Sequence, residues 1–177
     1  MTLAPLASER ITTSPEATQR LAAALARVAA PGDLVCLWGE LGAGKTAFAR
    51  GFGRGLGVRT TISSPTFILM AEHEGRLPLF HLDLYRLSDA SDAWAGGLID
   101  DRQAAGVTLV EWPDRFGRAL PAARVDVRID GLGDAPRRIR VETGQSSLAA
   151  YVAAAEAAEL GDAVPPDALP ADAVPAR

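Results

Sequence analysis

Eight consecutive residues, GELGAGKT from Gly39 to Thr46, contain the only lysine of a chain in which every other basic position is an arginine. Gly39, Gly44, Lys45 and Thr46 satisfy the spacing G-x-x-x-x-G-K-[ST], and an apolar run precedes them while a helical pattern follows. Glycines at these places let successive backbone N–H groups converge on phosphate oxygens, and the start of a helix adds its positive end. A compact ammonium reaches the β and γ phosphates, where the broad planar fork of arginine would not fit an enclosing loop. The Thr46 hydroxyl suits a magnesium ion. Gly39, Glu40, Leu41, Gly42, Ala43, Gly44, Lys45, Thr46 and Ala47 are therefore the candidate triphosphate-binding residues.

Three further segments carry chemistry. In LFHLDLYRL, residues 79 to 87, the strand period of two puts Phe80, Leu82 and Leu84 on one face and His81, Asp83 and Tyr85 on the other. A carboxylate flanked by two polar groups is costly to bury without a cation or donors, so in a phosphate-binding domain this face is read as functional rather than as a solvated exterior. TLVEWPDR places Glu111 directly after an apolar strand, where phosphate-loop proteins carry the acid of the magnesium shell, although that acid is usually an aspartate. Trp112 and Pro113 follow at once, so the chain leaves the sheet there. TTISSPTF, residues 60 to 67, is a hydroxyl-rich loop ending in Pro65 and Thr66 that suits a switch meeting the terminal phosphate.

The elements that must position these groups are legible in outline. Ser14, Pro15 and Glu16 form a helix-start signal, and a helix is expected from there to about Ala30 with Leu21, Leu25 and Val28 facing the core. DLVCLW reads as a strand buried on both faces. Phe48, Phe52 and Leu56 recur every four residues on one face of the helix that follows the glycine-rich turn, which should stop near Gly57. Gly51, Gly53 and Gly55 give that helix poor intrinsic propensity, so packing must hold it. Residues 66 to 73 and 77 to 86 read as a hairpin around Gly75, GVTLVEW as a buried strand, RVDVRI and RRIRVET as a second hairpin, and residues 147 to 160 as a last helix. The fold class is α/β, with a mixed central sheet flanked by helices: one phosphate-loop domain over residues 1 to 160, then a disordered Ala/Pro/Asp-rich tail over 161 to 177.

Bulk properties narrow the function classes. Hydrophobic content of 48 % with 23 % charged residues suits a globular protein. A net charge of -4 gives no overall attraction for nucleic acid or an anionic membrane, and leaves room only for a local basic patch. The single cysteine, Cys36, lies in an apolar run and fits a buried small hydrophobe, and no leader or membrane span is apparent, so a soluble cytoplasmic protein is expected.

Taken together, GELGAGKT, SSPTF, HLDLYRL and VEWPDR, in this order and at these distances, resemble the TsaE (YjeE) family over about residues 10 to 150. The resemblance implies a phosphate-loop NTPase fold and a Mg²⁺-dependent ATPase, weak alone, that acts with the TsaD and TsaB proteins in threonylcarbamoylation of the adenosine after the anticodon in ANN-decoding tRNAs. The tRNA would be met indirectly, through that complex. It assigns ATP to residues 39 to 47, Lys45 to the phosphates, Thr46 and Glu111 to magnesium, Thr66 to the switch loop and Asp83 to the catalytic neighbourhood. Whether Asp83 positions the attacking water or deprotonates it stays open. His81, Tyr85, Arg86 and Trp112 belong to the signature without an assigned role, and Arg86 and Arg115 are equally placed as an arginine finger. SDASDAWAGGLIDD, with Asp89, Asp92 and Gly96 or Gly97, matches the family only loosely.

Rival classes are weaker. A small-molecule phosphotransferase needs an acceptor pocket and usually an arginine-bearing lid, whereas residues 88 to 106 offer only Arg102. A GTP switch needs an N-K-x-D segment, which a chain whose only lysine is Lys45 does not contain. A pure binding module would keep the loop but have no use for Asp83 and Glu111.

Overall fold

The computed structural model describes residues 6 to 87 and 101 to 161. The expected tail beyond residue 161 and the SDASDAWAGGLID segment lie outside the described residues. Seven strands form one mixed sheet: β1 (Leu6–Thr12), β2 (Leu34–Trp38), β3 (Met70–His73), β4 (Leu79–Asp83), β5 (Val107–Glu111), β6 (Val125–Asp130) and β7 (Arg137–Thr143). Their spatial order is β1-β7-β6-β2-β5-β4-β3. The four central strands β6, β2, β5 and β4 run parallel, and β3 on one side and β7 with β1 on the other pair antiparallel. In such a sheet the ends where parallel strands finish side by side form a natural crevice for a ligand.

Among the described residues, three α-helices, α1 (Pro15–Arg27), α2 (Lys45–Gly55) and α3 (Ala149–Ala157), cover one face. There Leu21 and Leu25 of α1, Phe48 and Phe52 of α2 and Tyr151 of α3 share a core with Val35, Leu37, Leu109 and Val127 of the sheet. The opposite face holds a smaller cluster of Phe80, Leu82, Leu84, Leu87, Val110 and Phe116, beneath a 3-10 segment at Pro113–Ala119. Among the described residues, then, the α-helices lie on one side of the sheet and not on both.

Local signals explain the elements. Ser14 caps α1, its Oγ accepting from Ala17 N at 3.1 Å, with Pro15 opening the helix. The helix ends at Arg27 rather than Ala30, and Val28 is its C-cap, 38 % exposed instead of facing the core. The glycines of α2 also find their reason. A Cβ at Gly51 would lie 2.3 Å from Gln19 O and one at Gly55 2.5 Å from Ala23 O, so α1 and α2 meet backbone to backbone. Close approach replaces the intrinsic helicity that glycine lacks.

Both expected hairpins form, the first with narrower limits and the second shifted by one residue in β6 and unchanged in β7. Thr66 to Leu69 do not extend β3. Ile68 N and Leu69 N both donate to Pro65 O, at 3.0 and 2.6 Å, and Leu69 has φ 66°, which ends extended pairing before Met70. At the end of β4 the chain turns through Tyr85 and Arg86. The last helix starts later and stops earlier than its apolar pattern implied, after a 3-10 turn at Ser146–Leu148. Cys36 is fully buried in β2, where burial first and the nearby Asp126 carboxylate second push its thiol up to about 12. No helix of the described residues is long and apolar enough to cross a membrane.

Candidate functional site

β2 ends at Trp38 in the middle of the sheet and the chain turns through residues 39 to 44 into α2. Gly39, Gly42 and Gly44 take φ of 151°, 84° and 110°. At Gly39 the requirement is double, since a Cβ would also lie 2.6 Å from Ile129 O. Inside the loop Ala43 N donates to Glu40 O at 3.1 Å, and Phe48 N donates to Gly44 O at 2.9 Å as α2 begins. Arg137 of β7 braces the loop from outside, its Nε donating to Ala43 O at 2.9 Å and its other nitrogens to Gly133 O and Ala135 O.

Lys45 is 5 % exposed. Its Nζ donates to Gly39 O at 2.6 Å and Glu40 O at 2.8 Å, and lies 3.9 Å from the centroid of the Trp112 ring, within cation–π range. Burial pushes the ammonium below its ordinary pKa, while the Glu111, Asp83 and Asp114 carboxylates pull the other way. Thr46 and Ala47 are partly buried in the first turn of α2, and Leu41 stands out at the turn of the loop, 71 % exposed.

Across the strand ends lie the acids. Asp83 closes β4 and Glu111 closes β5; the two are register partners, and Leu37 of β2 pairs with Glu111 on its other side. Parallel pairing at equal register turns both carboxylates to the same face. Each is 3 % exposed. Asp83 accepts from three donors: Thr66 Oγ1 at 2.5 Å and Ser64 Oγ, both on Oδ2, and Tyr85 N at 3.0 Å on Oδ1. Glu111 Oε1 and His81 Nε2 are 2.9 Å apart, with His81 fully buried and its Nδ1 without a hydrogen-bond partner among the described residues.

The structure thus brings Lys45, Asp83, Glu111, Thr66, His81 and Trp112 to one set of strand ends. His81 and Asp83 are buried, which removes the solvated-exterior reading of their face. Tyr85 leaves that face: it is 41 % exposed and packs against Trp112 in a tilted arrangement, 5.0 Å between ring centroids and 49° between planes. Of the two arginines that spacing left equal, Arg86 lies over the Phe67 ring at 4.3 Å and Arg115 faces Asp114 at 3.7 Å. Two contributors were not singled out from sequence. Ser64 was visible only as one hydroxyl in a loop of several, and Arg137 as one of three arginines in RRIR. Trp112 itself takes φ 61°, ψ 52°, a left-handed conformation uncommon for a bulky residue, which carries its ring back over Lys45.

Among the described residues no three His, Cys, Asp or Glu side chains form a group that would hold a metal ion by themselves. Magnesium does not require one, since it commonly binds through one or two protein oxygens together with substrate phosphates and water. Two buried carboxylates beside a hydroxyl-bearing helix start fit an ion that arrives with a polyphosphate, and a cation would offset the cost of burying them.

A family model described as threonylcarbamoyl adenosine biosynthesis protein TsaE matches residues 12–139. The chain belongs to the TsaE family. Similar relatives include the tRNA threonylcarbamoyladenosine biosynthesis protein TsaE of Bacillus subtilis, 43 % identical over 129 residues that cover 72 % of this chain and 80 % of that one. The protein of the same name from Treponema pallidum is 37 % identical over 131 residues, covering 74 % and 97 %. The crystal structure of Bacillus subtilis YdiB superposes with a TM-score of 0.72 at 31 % identity, covering 87 % of this chain and 97 % of that chain. The process named for the TsaE family is threonylcarbamoyladenosine biosynthesis, and the four segments that carried the resemblance are the segments that build this site, save for SSPTF, of which only Ser64 and Thr66 reach the acids.

Proposed function

We propose that the chain binds and hydrolyses ATP with Mg²⁺, slowly by itself and faster with TsaD and TsaB, in support of threonylcarbamoyladenosine formation on ANN-decoding tRNAs in the cytoplasm. The observation that supports this reading best is the convergence of Lys45 with the register pair Asp83 and Glu111 at the ends of adjacent parallel strands. In this reading the amides at the start of α2 and the Lys45 ammonium bind the phosphates and stabilise the charge that develops on them. Thr46 and Glu111 hold the magnesium ion, which when bound neutralises phosphate charge. His81 keeps the Glu111 carboxylate oriented. Asp83, held by Ser64, Thr66 and Tyr85 N, orients the attacking water or takes its proton, and Thr66 links the switch loop to that acid.

Phosphoryl transfer asks a protein mainly for position and charge, so a chain with an incomplete charge complement turns over slowly. Arg86 and Arg115 are both engaged locally, which fits a site completed by a partner. Co-purification with TsaD and TsaB in ATP or ADP, followed by an assay for repeated rounds of tRNA modification, tests the reading. Nucleotide-dependent association and multiple turnovers are expected; single-round modification unaffected by the chain would overturn it.

A further inference from the structure

At the end of α2 remote from Lys45, a cavity of about 240 Å³ opens between the helix and the segment that follows it. Arg50, Arg54 and Arg59 line it together with Thr60 and Thr61, and among the described residues no aspartate or glutamate does. All five of these residues are exposed. In a chain of net charge -4 this concentrates three guanidinium groups on one small surface whose described lining holds no counter-charge. Planar guanidinium forks with hydroxyls beside them match phosphate oxygens in shape and hydrogen bonding.

The cleft is built, not merely charged. Arg50 Nε donates to Ile62 O at 3.0 Å, tying helix to segment. Ile62 is buried against α2, its Cδ1 filling the place a Cβ on Gly53 would take. Thr60 Oγ1 and His73 Nδ1 are 2.9 Å apart, which fixes the far wall to β3.

We infer that this cleft binds a backbone phosphate of RNA. Its volume is below the roughly 300–1,000 Å³ of pockets that enclose a whole small ligand, and suits a phosphate with part of its sugar. Among the described residues the lining offers no aromatic ring or acid to read a base or an enclosed sugar, and its apolar members Val58 and Ile62 are not exposed, so none of these projects to enter a lipid layer. Backbone contact without base readout is what an arginine and threonine surface provides. The choice of RNA among phosphate carriers rests on the family's place in tRNA modification; the site itself is separate from the nucleotide site. It adds a direct contact to the indirect one through partner proteins, and places it on the helix that starts at Lys45 and the segment that leads to Ser64 and Thr66.

The test is anisotropy of a labelled anticodon stem–loop RNA titrated with the full chain, from about 50 to 200 mM salt. Arg54→Ala/Arg59→Ala should weaken binding about tenfold or more at the low end and flatten the log affinity against log salt slope by between about one and two, while the paired lysine variant keeps most of the binding. An unchanged melting midpoint ties the loss to the cleft, and Lys45→Ala should bind RNA as the parent does, which separates this inference from the ATP reading. Parent and double-alanine chains that bind RNA alike, or a parent that binds inorganic phosphate or phosphatidylserine vesicles through these arginines but not RNA, would overturn it.

Discussion

The phosphate loop and the acid corner face the same strand ends, yet different forces hold them. The loop is a backbone object: positive-φ glycines, main-chain hydrogen bonds and an arginine brace on Ala43 O define it, and few of its side chains matter to its shape. The acid corner is a side-chain object: Asp83 depends on two hydroxyls and one amide, Glu111 on one imidazole. A backbone-held region should tolerate side-chain change except where a glycine is required, whereas a side-chain-held region should lose orientation with each donor removed. Under the proposed function, the first would bind a triphosphate in one shape and the second would respond to what is bound.

The sharpest way to break this contrast is at the two charged groups. Lys45→Ala should lower ATP turnover with partners present by about 10²–10³-fold, because a preorganised charge is lost from an otherwise intact loop. Asp83→Asn keeps the side-chain outline and should cost roughly a hundredfold in the same turnover assay, with ATP affinity little changed. Loss of affinity equal to the loss of turnover would move Asp83 into ground-state binding and blur the division.

Stability measurements sharpen it further. Gly39→Ala confronts both a positive φ and the Ile129 carbonyl, and should cost about 1–3 kcal/mol, read as a fall of several degrees in melting midpoint at roughly 2–4 °C per kcal/mol. Ser64→Ala removes one donor from Asp83 and should cost only about 1 kcal/mol by denaturant titration, with a greater effect on turnover than on the midpoint.

The smallest effect is a pH dependence. Burial holds the folded Lys45 pKa below its unfolded value near about 10.4, so across that window the unfolded chain binds more protons and the folded state gains stability as pH rises. Denaturant midpoints of the parent, compared with Lys45→Met, should therefore climb as the pH rises toward the unfolded lysine value of about 10.4.

The same division explains what could be read in advance. Backbone-held features leave local marks: the loop glycines, the apolar runs of β2 and β5, the Ser14 cap and the four-residue rhythm of α2 all predicted their elements. β1 left none, since LASERIT carries Ser8, Glu9 and Arg10 among its apolar residues and owes its strand to pairing with β7. The 3-10 segments have no period to detect. Features held by side chains across the sheet are set by register, which only topology supplies. The pairing of Asp83 with Glu111 and of His81 with Glu111 depends on β4 lying beside β5, and the choice of Ser64 over its neighbouring hydroxyls depends on the Pro65 turn that aims it. The left-handed Trp112 is likewise invisible until its ring is seen over Lys45.

The central claim is that a buried ammonium enclosed by loop carbonyls and an indole ring serves a triphosphate. Calorimetric titration of the full chain with ATP, with and without Mg²⁺, is its most direct test. Magnesium-dependent uptake near one nucleotide per chain, abolished in Lys45→Ala, is expected; uptake that is absent in the parent chain, or unchanged without the lysine, would exclude that role.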